Sequence, residues 1–185
     1  GYKEVDDPSI FVKAKIKSEE NTSFLVWTTT PWTLISNVAL ALHPDVEYVK
    51  VRHNDEFLIL ARERLEALEG EYEIINSRTG RELQGLEYEP FFSFVKPDKK
   101  AYFTILADFV TTSDGSGIVH IAPAFGEDDY QAGLKNNLPV IHPVDKSGRF
   151  VSEVTDWAGV FVKDADKDII INLKQRNVLY RKMKI

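Results

Sequence analysis

The chain has no cysteine in its 185 residues, so it can hold neither a disulfide framework nor a thiolate metal site. A cysteine-free chain fits a reducing cytosol, and a cytoplasmic location is expected. No run approaches the ~18–20 apolar residues a membrane helix needs. Gly1-Tyr2-Lys3-Glu4 carries no signal or transit pattern. Basic charge is in deficit: 23 Lys and Arg stand against 29 Asp and Glu, for a net charge of −6 and a pI near 5.3. Autonomous nucleic-acid binders are usually basic, because phosphate contacts dominate affinity. Any nucleic acid met here should therefore be gripped mainly by something else. There is also no internal repeat and no low-complexity tract.

What is present is the balance of an ordinary globular protein, 43% hydrophobic and 28% charged. Strand signals dominate the first two thirds. Ile10, Val12, Ala14 and Ile16 alternate with Phe11, Lys13, Lys15 and Lys17, which predicts a half-exposed strand. Further strands are expected at Phe24 to Thr30, Val38 to Leu42, Tyr48 to Arg52, Phe57 to Leu60, Glu71 to Ser77, Tyr102 to Ala107 and Gly117 to Ala122. His43-Pro44-Asp45, His53-Asn54-Asp55 and Arg78-Thr79-Gly80 read as turns. Arg62 to Leu68 is a short helix candidate. Glu127 to Lys135 predicts a helix with acidic residues in its first turn. Asp164 to about Arg176 predicts another, with Asp164 as its N-cap. Lys96 to Lys100 is the most linker-like stretch. The fold class expected is α+β, mainly β: a compact, bent antiparallel sheet or β-barrel core with a few peripheral helices.

Three segments could carry chemistry. Thr28-Thr29-Thr30-Pro31-Trp32-Thr33 crowds four hydroxyls and an indole onto a strand end that Pro31 stops. It reads either as a Thr-rich strand edge or as hydroxyls that orient water or a polar substrate. In Gly115-Ser116-Gly117-Ile118-Val119-His120-Ile121-Ala122-Pro123, the glycines suit a tight turn and the single histidine suits a structural role. A phosphate loop would need a further glycine, a lysine and a following helix. Gly126-Glu127-Asp128-Asp129-Tyr130 reads as helix capping or as a carboxylate aimed at a cation. His43, His53 and His142 sit in separate turns without ligand spacing, which disfavours a metal. An ammonium group needs only one hydrogen-bonded carboxylate.

Taken together, these segments resemble the CP1 editing domain of isoleucyl-tRNA synthetases. Thr28 to Leu34 followed by Asn37-Val38-Ala39 resembles its threonine-rich motif. Gly115 to His120, continuing through Ala122-Pro123 to Gly126 to Tyr130, resembles its second motif. His43-Pro44 and Pro143-Val144-Asp145 before Gly148-Arg149-Phe150 extend the likeness to roughly Pro8 to Tyr180. Valyl and leucyl relatives carry arginine where this chain has Thr30, an acidic residue at Trp32, and lysine or methionine at His120. Ile35-Ser36 departs from the family's proline and small residue. No His-Ile-Gly-His-type sequence, Lys-Met-Ser-Lys-Ser loop or nucleotide-binding glycine motif is present; Lys182-Met183-Lys184-Ile185 is a chance near-match.

The resemblance implies a single editing domain over 1–185, excised from a larger synthetase. Residues 1–7 and 181–185 would be junctions to the catalytic body. It implies hydrolysis of valyl-tRNA(Ile), with valyl-adenylate as a second substrate and isoleucine excluded sterically. Thr28, Thr29 and Thr30 would order the attacking water and contact the ester and the terminal ribose, Thr33 would be a substrate-binding residue beside them, and Asp129 would bind the substrate ammonium. Trp32 and His120 would wall the side-chain pocket, and Asn37 would make a polar contact near it. No cofactor is implied in this domain, since ATP and Mg serve the absent catalytic domain. The partners implied are the valine-bearing 3′ end of tRNA(Ile) and the rest of the synthetase, with no membrane. Two alternatives stand beside this reading: an inactive module that binds tRNA or protein, and a valyl-tRNA synthetase editing domain that clears threonine.

Overall fold

Alternating apolar residues pair β1 (Pro8–Lys15) with β2 (Thr22–Thr28) as an antiparallel ladder that sets Val12 opposite Val26. The structure, a computed structural model, describes residues 8–184, apart from the side chain of Lys184. Residues 1–7, expected as a junction, lie outside the described residues. β1 is covered on both faces, not one. Ile10, Val12 and Ala14 enter the main core with Phe24 and Val26, while Phe11 packs with Leu25, Val49 and Leu58 in a second core. Alternation marks the two faces of a strand but not how many of them are buried.

β3 (Ala39–Leu42) is followed by β4 (Glu47–His53) and β5 (Glu56–Ala61). The last two form a hairpin closed by Asn54 and Asp55, both at positive φ. That is the geometry a two-residue turn needs to match strand twist. Arg62–Ala67 makes a 3₁₀ turn where a helix was expected. β6 (Glu73–Thr79), β7 (Phe103–Leu106) and β8 (Ile118–Ile121) follow. Then come α1 (Glu127–Lys135), α2 (Val162–Gln175) and β9 (Leu179–Lys184). Residues 181–184 thus belong to a paired strand.

The strands form one curled half-barrel sheet in the order β6-β4-β5-β2-β8-β3-β7, with β1 joined to β2 and β9 to β1. Its pairing is mixed: β2 runs parallel to β5 and to β8, and β3 parallel to β7. Strand direction is a property of the connections, which side-chain periodicity does not encode. One edge of β2 is shared, taking β5 at Thr22 to Phe24 and β8 at Trp27. The sheet therefore opens along β2, just before Thr28.

α2 begins two residues earlier than expected. Phe161 holds its N-cap position, and Asp164 lies in the first turn, where its charge still suits the helix dipole. Val162, Ala165, Ile169 and Leu173 lay one face of α2 on the main core. The same helix backs the segment after β2, where Asp166 accepts a hydrogen bond from the Trp32 N–H at 3.0 Å.

Candidate active site

Thr28 ends β2, and Pro31 opens a 3₁₀ turn over Pro31–Ser36. Proline suits that position because its φ is preset and its missing N–H would be unpaired anyway. In a 3₁₀ turn, side chains three apart eclipse. Thr30 and Thr33 therefore meet, with their hydroxyl oxygens 2.9 Å apart. Thr33 donates its proton to the Thr30 carbonyl at 2.8 Å, and the Thr30 N–H donates to Thr28 Oγ1 at 3.1 Å. Thr28 and Thr30 hydroxyls lie 3.4 Å apart. The threonines form one linked row.

β8 brings the histidine to that row. Its antiparallel pairing with β3 sets His120 opposite Leu40. His120 Nε2 lies 2.9 Å from Thr33 Oγ1, and Nδ1 lies 2.7 Å from the Asn37 amide nitrogen. Burial pushes the imidazole pKa down from 6.5 to about 4, because the charged ring would lose its water.

Asp129 closes the third side. It sits in the first turn of α1, and its Oδ2 accepts the Ala122 N–H at 2.9 Å, just past the end of β8. A side chain at Gly126 would press to 3.2 Å from the Asp129 carboxylate, so glycine leaves that carboxylate room. Burial raises the Asp129 pKa, and the Asp128 charge raises it further, while the Ala122 N–H opposes both. A half-buried carboxylate held by backbone N–H groups is suited to receiving a cation.

These groups line one cavity of about 320 Å³, open to solvent. Thr28, Thr29, Thr30, Thr33, His120 and Asp129 all face it. Asn37 and Trp32 do not. Asn37 is buried behind His120. Trp32 stands behind Phe125, ring edge to ring face with centroids 4.9 Å apart, and it is Phe125 that meets the cavity. In a 3₁₀ turn adjacent side chains diverge by about 120°, so Trp32 and Thr33 cannot share a wall. Among the described residues, no three His, Asp or Glu side chains are grouped to hold a metal.

The Gly115-Ser116-Gly117 segment is a structural turn. The Ser116 hydroxyl donates to the Leu25 carbonyl, and its own carbonyl accepts from the Ala61 N–H. Gly117 has φ +78, and a Cβ there would sit 2.5 Å from Ala61 Cβ. The turn wedges between β5 and β8 and fixes where β8 starts.

No family model matches the chain. The isoleucine--tRNA ligase of Clostridium acetobutylicum is 53% identical over 184 residues, covering 100% of this chain and 18% of that protein. The ligase of Thermoplasma volcanium is 45% identical over the same shares. The crystal structure of GlLeuRS-CP1 superposes with a TM-score of 0.73 at 16% identity, over 96% of this chain and 100% of that one. The Plasmodium falciparum cytosolic leucyl-tRNA synthetase editing domain gives 0.70 at 10% identity, over 94% and 98%. The chain matches isoleucine--tRNA ligase along its whole length and folds as a CP1 editing domain. It spans about 18% of the ligases it matches. The leucyl domains share the fold, while the sequence match falls on the isoleucyl side, as Thr30, Trp32 and His120 imply.

Sequence reasoning missed several residues of this cavity. Trp27, Phe109 and Phe125 line it. Trp27 stands next to the first threonine and could have been found from that adjacency. Tyr88 is fully buried and donates its hydroxyl proton to Asn37 Oδ1. Nothing in Glu87-Tyr88-Glu89 signals such a role.

Proposed function

We propose that this chain hydrolyses valine wrongly esterified to tRNA(Ile), and valyl-adenylate by the same chemistry, while excluding isoleucine. The observation that carries this reading is the convergence of the threonine row, His120 and Asp129 on one open cavity. An aminoacyl ester offers an ammonium group, a labile carbonyl and a side chain. Asp129 meets the ammonium, which stabilises the ionised carboxylate that burial disfavours. Thr28 and Thr30 hold the attacking water and the terminal ribose. His120 limits the side chain. The ester is activated, so orientation and hydrogen bonding supply what the step needs without a protein nucleophile.

Editing after a synthetic site makes physical sense. One methylene is worth only ~1–3 kcal/mol of discrimination, too little for a synthetic site alone to reject valine. The net charge of −6 fits a domain that receives only the 3′ end, the remaining synthetase holding the tRNA. The test is deacylation of tRNA(Ile) carrying valine or isoleucine by the synthetase containing this domain. Release of valine with isoleucine spared is expected. A stable valyl ester refutes the reading.

A further inference from the structure

The polar atoms behind His120 fix its proton. Asn37 Nδ2 lies 2.9 Å from the Ala39 carbonyl, which can only accept. That nitrogen is therefore the NH₂ group, and Asn37 Oδ1 is left to accept the Tyr88 hydroxyl. The second Nδ2 proton points at His120 Nδ1, 2.7 Å away. Nδ1 must then accept, so Nε2 carries the ring proton and donates it to Thr33 Oγ1. Thr33 in turn spends its own proton on the Thr30 carbonyl. At the Thr30–Thr33 contact, Thr30 can only donate. A lone pair of Thr30 is left facing the cavity, while Thr28, already accepting from the Thr30 N–H, keeps a proton to give.

We propose that Tyr88 and Asn37 act as a positioning pair that holds His120 as the Nε2–H tautomer and thereby leaves the Thr33 proton on the Thr30 carbonyl, which keeps Thr30 aligned as the hydrogen-bond acceptor of the site. The inference rests on the hydrolytic reading for its consequence but not for its geometry. A water placed between Thr28 and Thr30 donates to Thr30, which turns its lone pair toward the ester carbonyl. With the opposite tautomer, Thr33 would give its one proton to Nε2 and release the Thr30 carbonyl. The threonine that receives the water would lose that anchor. The same accounting removes His120 as a base: its one lone pair is taken by Asn37.

The experiment is ¹⁵N NMR of the histidine rings in this chain, paired with deacylation of valyl-tRNA(Ile) by the synthetase containing it. In wild type, His120 should show a protonated Nε2 and a bare Nδ1. Tyr88→Phe leaves Asn37 Oδ1 without its donor, makes the turned amide competitive, and should give a mixture of tautomers. Asn37→Asp offers Nδ1 only acceptors and should move the proton to Nδ1. In both variants kcat should fall about 3–10-fold, the worth of one neutral hydrogen bond, with KM little changed. Folded variants that keep the wild-type ring pattern overturn the proposal, as does a wild-type ring protonated on Nδ1. If Tyr88→Phe fails to fold, the pattern in Asn37→Asp decides alone. Loss of wild-type deacylation with the ring pattern intact sinks the functional reading and leaves the tautomer assignment standing.

Discussion

Acidification should weaken this fold through His120, in a pH window the structure defines. The folded imidazole has its pKa pushed down to about 4 by burial, and an unfolded histidine titrates near the ordinary 6.5. The fold therefore prefers the neutral ring. Its contribution is complete above pH 6.5 and is lost as pH falls through that value toward 4. At ~1.4 kcal/mol per pH unit, the gap between 6.5 and about 4 is worth about 3 kcal/mol. A chain of this size changes its Tm by ~2–4 °C per kcal/mol, so the loss is roughly 6–12 °C. Other groups titrate nearby. Glu19 and Asp145 have lowered pKa values and lose stability in acid as well, whereas Asp129, with a raised one, works in the opposite direction. The His120 part is isolated by subtracting the stability curve of His120→Gln, from urea unfolding between pH 4 and 8. The difference should grow by about 3 kcal/mol toward neutral pH and flatten above 7. Titration of the His120 ring by NMR near 6.5, with a flat difference curve, would refute the reasoning. The functional corollary is that the preference for valine over isoleucine stays constant from pH 6 to 8, because the wall does not change charge there.

Three further outcomes are expected. His120→Ala should admit isoleucine, so that the preference for valyl-tRNA falls by ~10–200-fold, the worth of one methylene; a folded variant that still spares isoleucyl-tRNA would acquit the ring. Asp129→Ala should cut deacylation ~10–100-fold by removing a charge-assisted contact, while Asp128→Ala, at an exposed position, should cost less than ~3-fold; equal tolerance would mean both carboxylates serve only the helix dipole. Gly117→Ala should destabilise by about 3 kcal/mol, combining left-handed strain with overlap on Ala61. Gly85→Ala, at φ +82 in open space, should cost only the ~1–2 kcal/mol of strain; equal losses in denaturant unfolding would remove the overlap from the account.

The strands and α1 were legible because each is local. α1 runs over the expected Glu127–Lys135. β9 was not, since Leu179-Tyr180-Arg181-Lys182-Met183-Lys184 mixes charge with apolar residues at a chain end and reads as a tail. It is a strand because β1 offers it an edge, and Asn177 at φ +59 turns the chain back from α2. The parallel pairings were hidden for a related reason. β2 finds β8 across some ninety residues, where the Gly115-Ser116-Gly117 turn packs on Trp27 and Ala61.

The cavity divides along the same line. The spacing of Thr30 and Thr33 is local, and Pro31 between them sets the turn that eclipses their hydroxyls. A reader of sequence can see a row of threonines there. What the row does depends on contacts no local pattern carries. His120 reaches Thr33 because β8 pairs with β3 in one register. A slip of one residue would turn the imidazole to the opposite face of the sheet and leave Val119 or Ile121 against the threonines. The same register brings Asn37, two residues before Ala39 in β3, to the back of the ring, and Tyr88 behind that. Trp32 shows the converse. It adjoins Thr33 in the chain and was expected on the pocket wall, yet the 3₁₀ turn rotates it onto Phe125 and away from the cavity. Neighbours in sequence part, and residues more than eighty positions apart meet. In the proposed reading selectivity rests on a neutral ring held between Asn37 and Thr33, so its precision is set by the β3–β8 pairing more than by any motif residue taken singly.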